Sequence, residues 1–403
     1  MVHRSNERAR QALHGLVNPS GPRLTSQRRG APSWAAVVVR LLLLAVVALS
    51  LLAGIAGGLL RLGVALPATT HAAWLGHAAM VHAALMICGF LGTVIGIERA
   101  VAVKLRAAFL APLASGLSGL CLLLGQAQAG AWLGVAAAVA FTAVNVVVVQ
   151  RQRAAHTLLL LVGALAWLIG NLLFALGLDG VAILPWWFAF LVMTIAAERL
   201  EMTRLMRRRP AAQWSLYAVL SALLLGAACS AVAPAAGGVL YGTALAALAL
   251  WLGIFDITRR TVFSHGLSRY MAVCLLGGYG WLAVAGAAWA ATALGLAARD
   301  LALHALGLGF IVSMMMGHAP VILPAIARVK LQFGAFFYVP LAALHLSLIL
   351  RLGFGLLDPP LRAAGATFNA VAIALFAATI AGAAVAWHIN DDPPGTTQPG
   401  KAT

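Results

Sequence analysis

The sequence predicts an all-α polytopic membrane protein, a bundle of about twelve transmembrane helices. Three observations predict it. Hydrophobic residues make up 63% of the 403-residue chain and charged residues only 9%. A soluble domain carries about a quarter charged residues, so so few could not cover a water-solvated surface. Apolar runs long enough to cross a ~30 Å hydrocarbon core, roughly 20 residues at 1.5 Å each, recur twelve times. The basic residues gather in alternate segments between those runs, as the positive-inside bias requires.

The runs lie at about 36–60, 75–97, 107–126, 131–150, 156–178 and 182–201, then at about 214–234, 237–256, 270–296, 301–325, 333–352 and 363–388. Breakers separate them: Pro67, Gln126 to Gly130, Asp179-Gly180, Pro210, Pro234 to Gly238 and Asp358-Pro359-Pro360. The first run is too long for a signal-peptide core and is expected to be retained as a helix. Polar, Arg-rich and Pro/Gly/Ser-punctuated residues precede it. The expected organisation is a disordered basic cytoplasmic tail over 1–34, a twelve-helix transmembrane domain over 35–388 and a second disordered cytoplasmic tail over 389–403.

With the N-terminus in the cytoplasm, inner segments collect 23 of the 27 Lys and Arg residues, and the outer loops hold Arg61, Arg299, Arg351 and Arg362. One missed or invented helix would scramble every later loop, so this split supports both the count and the orientation. The expected location is a bacterial inner membrane, with both termini cytoplasmic and the lipid bilayer as the main partner. A net charge of +17 raises nucleic acid as a partner. The charges sit in short clusters between apolar runs and none forms a basic face interleaved with exposed aromatics, so nucleic acid is excluded as a partner. Cys88, Cys121, Cys229 and Cys274 all fall inside apolar runs without C-x-x-C spacing and read as small hydrophobes.

An internal echo runs through the chain. The second run holds Gly89-Phe90-Leu91, Ile95 and Glu98-Arg99, and the sixth holds Phe190-Leu191, Ile195 and Glu198-Arg199 at the same offsets. The tenth again carries Gly309-Phe310 a few residues beyond a histidine. This hints at three related four-helix units.

Ionisable residues inside a span are costly and mark function by default. His3 and His14 lie in the tail, and His156, His265 and His388 lie at or near inner segments. His71 and His77 fall before and at the start of the second run, and His82 within it. His304 is early in the tenth, His345 in the outer half of the eleventh, and His318 deep in the tenth. At 1.5 Å per residue, His82 and His304 sit roughly 10 Å and roughly 5 Å below the outer boundary, one common depth on two helices running the same way. Two neutral imidazoles facing each other across a bundle can bind a haem iron, with His77 as an alternative partner. Gly89, Gly307 and Gly309 would let a flat macrocycle approach the backbone. A uniform 100° per residue places His318 on the same face as His304, about 21 Å away. His318 is a candidate second ligand or, with Glu98, a proton-handling pair. Glu98-Arg99 and Glu198-Arg199 read as ion pairs anchoring inner helix ends. Met314-Met315-Met316 points in three directions and reads as core rather than as copper ligands.

These residues carry a resemblance. Twelve helices with histidines on the second and tenth resemble subunit I of the haem–copper oxidases, where such histidines hold the low-spin haem near the outer face in a pseudo-threefold array of four-helix units. The segment His304-Ala305-Leu306 through Gly309 to Met314, with Gly317-His318 downstream, is similar to the later His-Ala-Leu signature of the NnrS proteins, haem- and copper-containing membrane proteins linked to nitric oxide stress. The resemblance implies a b-type haem held by His82 and His304, with copper as a second candidate metal (His318 and His345 being its candidate ligands) and a membrane or periplasmic redox partner. It does not imply a terminal oxidase, because the sixth and seventh runs hold no histidine where the oxidases keep copper ligands. The implied function is electron transfer, or haem or nitric oxide handling. The rival expectation is a proton-coupled secondary transporter, which twelve spans, repeats and intramembrane His and Glu also suit.

Overall fold

The structure is a computed structural model that describes residues 34–66, 73–202, 210–327 and 329–391. The two expected tails, His71 and the Arg204 to Arg209 cluster therefore lie outside the described residues, apart from the tail margins. Among the described residues there is no strand, and twelve helices are long and apolar enough to cross a membrane. They are α1 Leu41–Arg61, α2 His82–Val103, α3 Arg106–Leu123, α4 Ala127–Arg151, α5 Ala155–Ala175 and α6 Gly180–Met202. The second half adds α7 Ala211–Ser230, α8 Pro234–Phe255, α9 Gly266–Ala293, α10 Arg299–Pro324, α11 Ala335–Leu356 and α12 Pro359–Ile389. The chain is a multi-pass membrane protein of the predicted class.

Short connections force sequential helices into antiparallel neighbours. Accordingly α3 packs on α4, α4 on α5, α5 on α6, α7 on α8, α8 on α9 and α11 on α12. Small residues let these backbones approach closely, which is how helices associate in lipid, where no hydrophobic force drives them together. Gly242 of α8 and Gly286 of α9 face each other's backbone so closely that a Cβ on either would lie 2.5 or 2.6 Å from the other's carbonyl oxygen. Leucines such as Leu44, Leu52, Leu250 and Leu346 are exposed on the outside, where hydrocarbon is the solvent.

The three most buried spans are α6, α10 and α2, with 78%, 61% and 56% of their apolar windows inside the protein. They are four helices apart in the chain, the spacing that three four-helix units require. Around α6 the core is aromatic: Phe190 stacks on Trp167 at 5.0 Å, and Phe141 meets both rings edge-on.

Two departures from the expected boundaries bear on the site. The second run is broken: a short helix, Ala73–Met80, ends at Val81, and α2 starts afresh at His82. Both α2 and α10 then turn π-helical, over Leu85–Gly92 and Ala305–Val312. These eight-residue segments carry Gly-Phe at their fifth and sixth positions, as Gly89-Phe90 and Gly309-Phe310. A π segment widens the turn, and such segments recur at functional sites. Uniform 100° steps therefore fail between His304 and His318, and the expected common face and spacing of those two residues do not hold. The final helix also runs to Asp391, past the expected end at 388.

Candidate functional site: a cavity between two histidines

His82 begins α2 and His304 lies on the first turns of α10, each just ahead of its π segment. The two rings lie 6.3 Å apart between centroids, with 28° between their planes. His82 Nδ1 lies 2.6 Å from the Gly54 carbonyl oxygen. His304 Nδ1 lies 3.1 Å from the Asp300 carbonyl oxygen and 2.9 Å from its carboxylate. Carbonyl and carboxylate oxygens only accept, so in a neutral ring each Nδ1 carries the hydrogen and Nε2 keeps its lone pair. A second partner that fixes tautomer and ring orientation in this way is the usual support of a metal-binding imidazole.

Both rings line one cavity with two lobes. The apolar lobe, about 140 Å³, is walled by Gly58, Phe90, Leu184, Phe188, Gly307 and Ile311. The polar lobe, about 460 Å³, contains Arg61, Arg299, Asp300 and Arg351. Three guanidinium groups against one carboxylate leave a cationic mouth. Arg351 donates from Nε and Nη2 to the two Asp300 carboxylate oxygens at 3.2 and 2.8 Å, a bidentate pair. Its Nη2 is also 3.1 and 3.2 Å from the two ring nitrogens of His304. The two lone-pair axes diverge in the ring plane, so one donor that near both must sit over the imidazole face, where it leaves Nε2 accessible. In the apolar lobe Asn369 donates to Ser347 at 2.7 Å, while its Oδ1 is buried without a partner.

The other predicted site residues go elsewhere. His77 sits on the short helix before α2, bonds the Leu123 carbonyl at 3.0 Å and packs on Gly125, outside the cavity lining. It is therefore not placed as a partner for His304. His345 Nδ1 accepts from Trp281 Nε1 at 2.8 Å, so in the neutral ring its lone pair is already used and the Nε2 that packs on Gly277 carries the hydrogen. His318 bonds the Met314 carbonyl at 2.7 Å, one turn back on its own helix. Among the described residues no group of three or more His, Cys, Asp or Glu side chains gathers to hold a metal ion. Of the three predicted glycines only Gly307 lines the cavity. Gly89 packs on Ser50 and Gly119, and Gly309 lies against Trp281.

The ion pairs at the opposite end also differ from expectation. Arg199 Nε pairs with Asp256, the residue just past α8, at 3.0 Å, deeply buried, rather than anchoring to Glu198 alone. Glu98 and Arg99 approach only to 3.9 Å. Adjacent residues on a helix point about 100° apart, so a chain neighbour is a poorer partner than a residue on a facing helix.

Sequence reasoning missed Arg351, Asp300, Asn369 and Gly58. A signal existed for the first: of the four basic residues in the expected outer loops, three (Arg61, Arg299 and Arg351) line this cavity. Asp300 stands one turn before His304, a spacing at which side chains meet. No curated protein and no solved structure matches the chain. A family model does, over residues 40–385, and the chain belongs to the family it describes, Domain of unknown function (DUF8744).

Proposed function

We propose that this protein binds haem between His82 and His304 and uses it in electron transfer, or in haem or nitric oxide handling. The observation that carries this reading is the ring geometry. An imidazole–metal bond is about 2 Å and the imidazole ring has a radius of about 1.1 Å, so two imidazoles holding one metal between them would have their centroids about 6.2 Å apart. The rings stand at 6.3 Å. Two protein ligands are too few for a structural metal ion, which takes four, but they suffice for a group that brings four equatorial nitrogens of its own.

The rest of the cavity fits the same group. A haem is a flat apolar macrocycle with two carboxylates at one edge. The apolar lobe offers Phe90, Phe188 and the bare backbone of Gly58 and Gly307 to the macrocycle, and the cationic lobe offers Arg61, Arg299 and Arg351 to the carboxylates. Arginine binds such groups bidentately. Bound there, the haem supplies one-electron chemistry. The residues of the chain would hold it: Gly54 and Asp300 occupy the two Nδ1 atoms and leave each Nε2 free, and the apolar walls would exclude water. Were both imidazoles to hold the iron, the chemistry supplied would be electron transfer rather than binding of a diatomic gas. Copper lacks comparable support, since His318 and His345 stand apart from each other's partners.

The orientation belongs to the same proposal. Alternate segments rich in Lys and Arg support termini in the cytoplasm of a bacterial inner membrane and a cavity near the outer face, within reach of a periplasmic or membrane redox partner. Titration of haemin into the purified, detergent-solubilised protein tests the reading. A sharpened, red-shifted Soret band saturating at one equivalent, absent in His304→Ala, is expected. Haemin that stays free, or binds His304→Ala equally, overturns it.

A further inference from the structure

A second cavity, of about 180 Å³, adjoins the histidine cavity at the same end of the bundle. Gly180, Leu184, Arg299 and Leu303 line both it and the polar lobe, so one layer of side chains separates the two. Its other walls include Ser230 at the end of α7, and Trp289 and Thr292 near the end of α9. An apolar cavity of about 150 Å³ takes benzene, so this one has room for one six-membered ring with small substituents. Trp289 is its aromatic wall, held by Tyr241 at 4.8 Å and by edge contact with Phe188 at 5.9 Å. The polar groups are few and their hydrogen-bonding roles are fixed. Ser230, 2% exposed, donates from Oγ to the Gly226 carbonyl at 2.8 Å, and Thr292 Oγ1 donates to the Ala288 carbonyl at 2.8 Å. A hydroxyl has one hydrogen, so both now offer only lone pairs. Arg299 offers only donors. Its Nη2 lies against Gly180, and among the described residues it has no hydrogen-bond acceptor.

We propose that this cavity binds the ring of a para-hydroquinone. One ring oxygen accepts from Arg299, and the other, as a hydroxyl, donates to Ser230 or Thr292. The wall chemistry selects against the alternatives. A fully ionised oxyanion would set its charge against two hydroxyls that offer only lone pairs, and a cation would face Arg299. A plain hydrocarbon ring would use none of the three polar groups. The ring arrives either on the lipid-soluble tail of a membrane quinol or free from water. The binding stands on this cavity alone, and only its use, as the membrane redox partner beside the histidine cavity, rests on the haem reading.

Anaerobic isothermal titration calorimetry of the purified, detergent-solubilised protein tests the site, with methylhydroquinone and a decyl-substituted hydroquinone as probes. Saturable binding is expected. Thr292→Val keeps the side-chain shape and should weaken it about fivefold, as should Ser230→Ala, since each loses one hydrogen bond. Arg299→Met should weaken it by at least about tenfold. Circular dichroism and elution volume check that each variant is folded. Neither Ser230 nor Thr292 lines the histidine cavity, so haemin titration of those two variants should match the wild type, and losing the quinol site leaves the haem reading standing. Tighter binding of the decyl probe supports the site with a membrane quinol as occupant, and equal binding supports it with a ring taken from water. No saturable binding of either probe to the folded wild type, or binding unchanged in all three variants, overturns the proposal. Toluene binding as tightly as methylhydroquinone overturns it as well, because the polar groups would then be idle.

Discussion

Replacing Gly307 by leucine separates the cavity from the fold that builds it. A Cβ at Gly307 would meet nothing nearer than Phe188 at 3.8 Å, so a side chain there grows into the apolar lobe of about 140 Å³. A leucine cut back to alanine in a well-packed core leaves a cavity of about 150 Å³, so leucine comes close to filling the lobe. Filling at about 24 cal/mol per Å³ gives at most about 3 kcal/mol of stabilisation. Overpacking strain takes back about 1–3 kcal/mol. The haem-free variant should therefore be as stable as the haem-free wild type, or more stable by up to about 2 kcal/mol, in equilibrium denaturation in mixed micelles. It should bind no haemin in the Soret titration. Gly309→Leu is the contrasting control: its Cβ would lie 2.4 Å from the Trp281 ring, so it should destabilise the chain. Haemin bound by Gly307→Leu as tightly as by the wild type would refute the placement of the macrocycle. A collapse in its stability would refute the open space.

Other outcomes follow from the charged pairs. Arg199→Met leaves the Asp256 carboxylate, 1% exposed, without its cationic partner, held by neutral donors such as the backbone and hydroxyl of Thr258, and should cost about 3 kcal/mol. Asp256→Asn leaves Arg199 beside Glu198 and should cost less, about 1–2 kcal/mol, so that the double variant shows a coupling of about 2 kcal/mol by denaturation. Additive losses would mean the pair is not coupled. Arg351→Met strips Asp300 of its bidentate partner while the carboxylate is 27% exposed. The loss of haem-free stability should be about 1–2 kcal/mol, between exposed and buried pairs, and haemin affinity should fall at least tenfold. Unchanged affinity would remove Arg351 from the carboxylate-binding mouth. Asp300→Asn should loosen the His304 ring and broaden the low-spin spectrum. An unaltered spectrum would show that the carboxylate does not orient it.

The architecture was legible because lipid writes a strong pattern. Twenty-residue apolar runs and alternating basic clusters locate each helix without any knowledge of neighbours. The pairing of His82 with His304 was legible for a similar reason, since equal depth on two co-directional helices can be counted from the sequence. What could not be counted was rotation about each helix axis. Gly89 and Gly309 sit at plausible heights but face Ser50 and Trp281 instead of the cavity. The π-helical turns in α2 and α10 shift every later side chain, and no local residue pattern announces them, which undid the placing of His318. Long-range partners were equally hidden: Arg199 finds Asp256 57 residues on, and Asp300 finds Arg351 51 residues on, through packing that only the assembled bundle defines.

Electron paramagnetic resonance of the chain, purified from haem-replete cells and quantified for haem, tests the two-imidazole site most directly. One haem per chain with a low-spin ferric signal of two near-parallel imidazole ligands is expected, lost on substitution of either His82 or His304 by alanine. Absence of haem, or a signal that survives both substitutions, would contradict the account.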